Sequence, residues 1–401
     1  MKELSTERFS DWDFGIISNN ENGDLLGFYN KITDKTICRP KYSNVREFKN
    51  GFAAVEKNGK WGFINMEGKE IIKTQYESVE DFDNGFAKVM INKDENWGNP
   101  ADVQIWTDED SCYFKHKKYG LINELGNQVT PLIYDQIRNQ RESRFAVKKR
   151  KSHFLDSDHW GFIDDRGQEI TSIEYFQVKD FSENLAAVFD GTYWGFINKK
   201  GKVIVPLIYD FVNSFRENLA CVVKNGKCGF INKINKVIIP LEFDNAFDFC
   251  KESAAVQMGS KWGFINKTGR IVTRFKFDHV AIFQEEGFSL VQLNSKWGYV
   301  NQAGKEITAI RYDDVRGFSE GFAAVKQNDK WGFVNIDGWE IIPLEYDSVT
   351  DFKNSRSIVE LNNKFGIINT NGKIIKAIKY DIDCFINDIT GEFNYDKTEI
   401  T

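Results

Sequence analysis

The chain is poor in the residues that build metal centres, disulfide frameworks and membrane spans. Four His and six Cys in 401 residues leave little material for a multi-metal protein. The cysteines (Cys38, Cys112, Cys221, Cys228, Cys250 and Cys384) form no CxxC pair and no regular framework. That usage fits free thiols in a reducing compartment. No apolar run approaches the roughly 18 residues of a spanning helix, and Pro206 interrupts the stretch Val203 to Tyr209. Residues 1–13 carry Lys2, Glu3, Glu7 and Arg8 without the apolar core of a secretory leader. The expected compartment is therefore the cytoplasm. Net charge is only −6, which supports neither a global nucleic-acid binder nor a polybasic membrane protein.

Aromatic residues are abundant instead: 34 Phe, 14 Tyr and 10 Trp within a 41% hydrophobic chain, enough to bury large cores. They recur in one unit. Trp61-Gly62-Phe63-Ile64-Asn65 returns from Trp160-Gly161, Trp194-Gly195, Trp262-Gly263, Trp297-Gly298 and Trp331-Gly332. Degenerate copies keep the Gly after Leu26, Tyr119, Cys228 and Phe365. From 160 onward the period is 34 or 35 residues, and ten units result. A Tyr or Phe follows the paired Gly by fourteen residues in nine units. A second aromatic lies six further on in most, at Phe82, Phe181, Phe215, Phe249, Phe283, Phe318 and Phe352. Spacing this strict excludes insertions from the unit body, as packing on neighbouring units requires.

With these motifs the chain resembles the WG-repeat (KWG) family of bacterial tandem-repeat proteins, over roughly residues 14–385. The resemblance implies a repeat scaffold and no particular activity.

One unit can be read physically. Phe52-Ala53-Ala54-Val55-Glu56 is extended, Asn58-Gly59 signals a two-residue type I′ turn, and Trp61 to Asn65 returns. That loop sets Glu56 opposite Trp61, Val55 opposite Gly62 and Ala54 opposite Phe63. Both hairpin faces are apolar, so units before and after must cover them. A second turn with Gly68 at positive φ leads to a third strand at Ile71-Ile72, which Pro131, Pro206, Pro240 and Pro343 end in other copies. Tyr76 to Phe82 is a short fourth element or a turn-rich return. The Gly beside each Trp leaves room for a neighbouring backbone or ring, and the Trp series reads as core rather than ligand platform.

The expected fold is all-β: about ten units of three to four short strands in an open superhelical, solenoid-like array. The alternative is a closed propeller-like ring or two propellers. Ten whole units exceed the usual propeller range, and no blade is split between the termini. Residues 1–13 and 386–401 are expected as polar caps around an array of residues 14–385.

Two places break the period, near 92–118 and 148–158. Insertions in arrays often carry the specific function. The first holds Asp94, Glu95, Asp102, Asp108, Glu109 and Asp110 with Trp97 and Trp106 between them. Beside the second, Arg138, Arg141, Arg144, Lys148, Lys149, Arg150 and Lys151 face a single acid, Glu142. That cluster would receive a phosphate, a nucleic-acid backbone or an acidic segment; the plainer reading is a solvated charged face. Cys112, His116, His153 and His159 lie nearby without metal-site spacing, so no metal site is expected. The recurring Asp135, Asp210, Asp244, Asp278, Asp313, Asp347 and Asp381 read as turn residues that satisfy backbone N–H groups.

No HExxH, GxSxG or EF-hand motif is present, and the recurring Gly62-x5-Gly68-Lys69 lacks phosphate-loop spacing. The expectation is a non-enzymatic scaffold, without cofactor, for a protein or peptide partner. Anion or nucleic-acid binding through residues 138–151 and carbohydrate binding by exposed aromatics are the alternatives.

Overall fold

Turn chemistry sets the architecture. The computed structural model describes residues 13–19, 25–94, 115–150, 158–284 and 287–381. Strands Phe52–Lys57 and Lys60–Asn65 pair antiparallel, with Glu56 opposite Trp61, Val55 opposite Gly62 and Ala54 opposite Phe63. Asn58 and Gly59 between them have φ of 53° and 71°, the left-handed pair that a type I′ loop needs. The expected register holds at every position.

Each hairpin sits inside a meander. Asn44–Val45 precedes this one and Glu70–Tyr76 follows it, giving a four-stranded sheet. Among the described residues ten such antiparallel sheets of three or four strands follow one another, with no α-helix. The chain is an all-β tandem array. It groups into two compact units, Met1–Leu207 and Ile208–Thr401.

Within the first, the two faces of a hairpin go to two cores. Ala53, Val55 and Ile64, with Phe48 of their own sheet's first return, pack with Phe28 and Tyr42 of the preceding sheet. Ala54 and Phe63 pack with Phe82, Ala87, Val89 and Ile122 of the following one. Stacking therefore covers both faces, as the double-sided apolar pattern requires. The second compact unit repeats this: Ala324 and Phe333 meet Phe352, Val359 and Ile368.

Within each compact unit the second aromatic is the bolt of most junctions. Phe82 lies 4.4 Å from Phe52 and 4.9 Å from Phe63, ring centre to ring centre. Phe48, Phe181, Phe249, Phe283, Phe318 and Phe352 each sit 4.5–5.1 Å from aromatics of the sheet before. Such pairs add about 0.5–1.5 kcal/mol beyond area burial. The return from Tyr76 to Phe82 contains a two-residue strand, Ser78–Val79, that pairs with Met90 and Val89 of the next sheet.

Proline does not end the third strand. Val203–Tyr209, Val237–Phe243 and Glu340–Tyr346 run through Pro206, Pro240 and Pro343. The reason is a bulge: Trp331 pairs with Tyr346 but Phe333 with Ile342, so Pro343 lies where no ladder N–H is needed. The bulged strand also explains the glycine after each Trp. A Cβ on Gly62 would stand 2.3 Å from the Ile72 oxygen, and one on Gly332 would stand 2.4 Å from the Ile342 oxygen.

The third, fourth and eighth sheets reduce this strand to isolated bridges. Thr130, Thr171 and Thr308 stand there, as Thr273 does in the four-stranded seventh sheet. Their hydroxyls accept the N–H of Leu121, Phe162 and Tyr299 at 2.8, 2.8 and 3.1 Å.

Candidate functional site

Most recurring polar side chains hold one unit to the next. The Asn that closes each Trp-Gly-Phe-Ile-Asn strand shapes the following turn: Asn65 Oδ1 accepts the N–H groups of Glu67 and Lys69 at 3.1 and 3.0 Å. The recurring Asp bridges two hairpins. Asp244 accepts Lys227 Nζ from the sheet before at 2.5 Å and the Gly259 N–H of the next hairpin turn at 2.6 Å. Asp278, Asp313 and Asp347 repeat this with Lys261, Lys296 and Lys330 and with the N–H of Asn294, Asn328 and Asn362. The lysine first, and then the backbone N–H, holds each of these four carboxyls below its ordinary value. The expected backbone-satisfying role is present, with a lysine added.

The Trp rings are mainly core. Trp160, Trp194, Trp262 and Trp331 are buried, whereas Trp61 and Trp297 are half-buried. A residue after the short first strand often covers the ring. Arg46 stacks 4.8 Å from Trp61 while its guanidinium donates to the Val79 oxygen at 3.0 Å. Arg316 does the same for Trp331 and the Val349 oxygen, at 4.7 and 2.8 Å.

The basic cluster of residues 138–151 is drawn into this cohesion. Arg138 stacks 4.2 Å from Trp160 and donates to the Val178 oxygen at 3.0 Å. Arg144 donates from Nε and an Nη to the Lys199 oxygen at 3.2 and 3.1 Å. Lys148 and Arg150 both pair with Asp158, at 2.5 and 3.2 Å. Burial pushes the Asp158 carboxyl up, but these hydrogen bonds outweigh it and hold the group below its ordinary value. Arg141 is exposed and Lys149 half-buried. Lys151 lies outside the described residues, as do Trp97, Trp106, Asp108, Glu109 and Asp110. The first insertion extends a hairpin: strands Phe86–Asp94 and Lys115–Asn123 stay paired out to Asp94 opposite Lys115. The second lies between Arg144–Arg150 and Asp158–Asp164. Among the described residues no cluster of His, Cys, Asp and Glu is placed to hold a metal ion. His159 packs 4.8 Å from Phe176.

The first compact unit contains a cavity of about 490 Å³ where its second, third and fourth sheets meet. Arg46, Lys49, Glu80, Asp81, Asp83 and Lys88 line it with Arg138, Asn139 and Gln140, over Phe86, Leu121 and Phe145. Lys88 pairs with Glu80 at 2.5 Å, and Arg46 with Asp81 at 3.3 Å. Arg46 and Arg138 serve the junction and the cavity wall at once.

Substitutions inside the repeat accompany this cavity, and the sequence reading missed them. Gln140 occupies the place of the second aromatic, twenty residues after Gly120. Phe145 stands where other units have Ala or Ser, and it takes over the aromatic contact, 5.2 Å from Phe86. Lys88 replaces the small or apolar residue of Ala54 and its equivalents, and Leu121 replaces the ring of Phe63 and most of its equivalents. Attention to insertions hid these changes; a position-by-position comparison of units would have exposed them.

A family model described as a WG-containing repeat matches ten times: 27–61, 61–94, 119–151, 160–191, 194–228, 229–262, 262–297, 297–331, 331–365 and 365–382. No curated relative matches the chain. Among solved structures, a eukaryotic initiation factor is 14% identical, with a TM-score of 0.37, covering 82% of this chain and 94% of its own. Hsv2p of Kluyveromyces lactis is 11% identical, with a TM-score of 0.31, covering 58% and 90% respectively.

Proposed function

Since the chain belongs to the family of WG-containing repeats, matched over nearly all of residues 27–382, we propose that it is a non-enzymatic scaffold whose array presents a surface to a protein or peptide partner. One observation carries this reading. Side chains that recur from unit to unit serve cohesion, whereas four departures from the repeat, Lys88, Leu121, Gln140 and Phe145, meet at one junction, around a cavity beside the longest hairpin. Cohesion needs only the recurring residues. A local departure that opens a cavity is what a binding surface needs.

The anion-binding alternative has less support, because Arg138, Arg144, Lys148 and Arg150 already have partners within the chain. The carbohydrate alternative has less as well. The repeat Trp rings are covered, and the exposed Phe176, Tyr193 and Trp339 do not share one sheet.

The test is selection of a random-peptide library on the immobilised full chain, followed by titration of enriched peptides in solution. Saturable binding that is lost on unfolding is expected. A library from which nothing binds better to the folded chain than to the unfolded one overturns the scaffold reading.

A further inference from the structure

Three of the repeat tryptophans share one arrangement. A guanidinium lies over the indole and also meets an Asp of the following unit: Arg46 over Trp61 with Asp81, Arg138 over Trp160 with Asp180, and Arg316 over Trp331 with Asp351. The guanidinium carbons lie 4.2–4.8 Å from the ring centres, and an Nη lies 3.3–3.6 Å from each carboxylate. The chain thus relies repeatedly on the attraction of a cation for an indole face, reinforced by an acid.

Trp339 has the ring and the acid without the cation. It is 71% exposed, and among the described residues no Lys or Arg lies over it. It stands in the second turn of the ninth unit, which Asn335 fixes by accepting the N–H groups of Asp337 and Trp339 at 3.1 and 2.9 Å. Asp337 is exposed, two residues before the ring in the same turn, and among the described residues its carboxylate meets no cation. Glu340 is engaged by Arg311 at 3.4 Å, which leaves Asp337 as the available acid. The turn does not need an indole to fold, since Lys69, Asn127, Gln168, Lys202, Lys236, Arg270, Lys305 and Lys373 take the place of Trp339 in other units.

We infer that this turn receives an arginine side chain carried on an extended segment of the partner, with the guanidinium over Trp339 and an N–H donated to Asp337. The inference rests on the scaffold reading and adds a recognition element to it. Exposed Ile336 in the same turn offers apolar surface to the arginine stem. Arginine rather than lysine is specified because its planar fork can stack and pair at once. Within the array the lysine over a Trp sits farther away, with Lys179 5.7 Å from Trp194. Lys305 and Lys373 hold the corresponding turn position in the units on either side, so a run of cations on the partner is disfavoured and a single one is selected.

The experiment titrates the full chain with blocked heptapeptides that have randomised flanks and Arg, Lys or citrulline at the centre. Fluorotryptophan labelling supplies a second readout, in which the Trp339 fluorine resonance is the one that Trp339→Gln removes. Gln168 and Asn371 occupy the two positions in other units, so Trp339→Gln and Asp337→Asn should both keep the turn, and thermal melts check this. Arg-centred peptides are expected to bind about fivefold or more tighter than citrulline-centred ones, and to shift the Trp339 resonance. Trp339→Gln should abolish that preference and Asp337→Asn should reduce it. Equal binding of Arg and citrulline peptides, or of Arg and Lys peptides, overturns the site while leaving the scaffold reading standing. So does a preference that survives in either variant undiminished, or a Trp339 resonance unmoved at saturation. If wild type binds no peptide at all, both readings fall.

Discussion

At the scale of single residues, two glycines of one hairpin do different work. Gly59 sits in the turn at φ 71° with nothing within 4 Å of an added Cβ. Gly62 has no such backbone requirement, but its added Cβ would strike the Ile72 and Lys73 backbone at 2.3–2.8 Å. Gly59→Ala should therefore cost about 1 kcal/mol, the left-handed penalty alone. Gly62→Ala should cost roughly 2–4 kcal/mol, because the bulged strand must move or lose its pairing. Urea midpoints of the two variants test the order, and equal losses would show that the close approach is unimportant. The need for glycine at position 62 was legible as a need for space. What fills that space was not, because the third-strand bulge has no signal in the two residues beside it. Proline looked like an end to the strand for the same reason.

At the scale of elements, the Asp clamps join a lysine in one sheet to the hairpin turn of the next. Asp244, Asp278, Asp313 and Asp347 are held below the ordinary value of 3.8 in the folded chain. A carboxyl depressed on folding contributes stability that is complete above its unfolded value, and that stability is lost as pH falls through the folded one. The melting temperature should thus stay level from pH 7 to about 5 and drop below about 4. Replacing all four with Asn should lower the melting temperature at pH 7 and flatten the acid limb. An acid limb unchanged in that variant would assign the loss to other groups. Hairpin register was fully legible, since a two-residue loop leaves one pairing only. The lysine partners were not: Lys227 and Asp244 stand 17 residues apart and meet only across a completed third strand.

At the scale of the whole molecule, sheets inside each compact unit are stabilised by their neighbours in the chain, as nearest-neighbour cohesion predicts for repeats. Truncation after Asp347 removes the last sheet and uncovers Ala324, Trp331 and Phe333. The shortened chain should remain folded with a loss of roughly 3 kcal/mol or more, from the apolar area exposed. It should keep peptide binding, because the cavity belongs to Met1–Leu207. Dye binding to exposed apolar surface and denaturant melts check the first point, and complete unfolding would contradict local cohesion. The candidate site was only partly legible. The broken period drew attention to the third and fourth units, and the cavity lies where they meet the second. Of the residues named from charge, Arg138 and Arg144 bond to the next unit and Lys148 and Arg150 pair with Asp158 of their own hairpin.

The sequence by itself determined the unit, its period, the turn type and register of its hairpins, and the apolar character of both faces. All of these are local, since turn preferences and alternation act over a few residues. Tertiary structure decided what fills the space beside each glycine, which acid meets which lysine, and where the array leaves a cavity. Lys88 and Gln140 line one site from 52 positions apart. A cavity is a balance of side-chain volumes from several sheets, and that balance exists only after they stack.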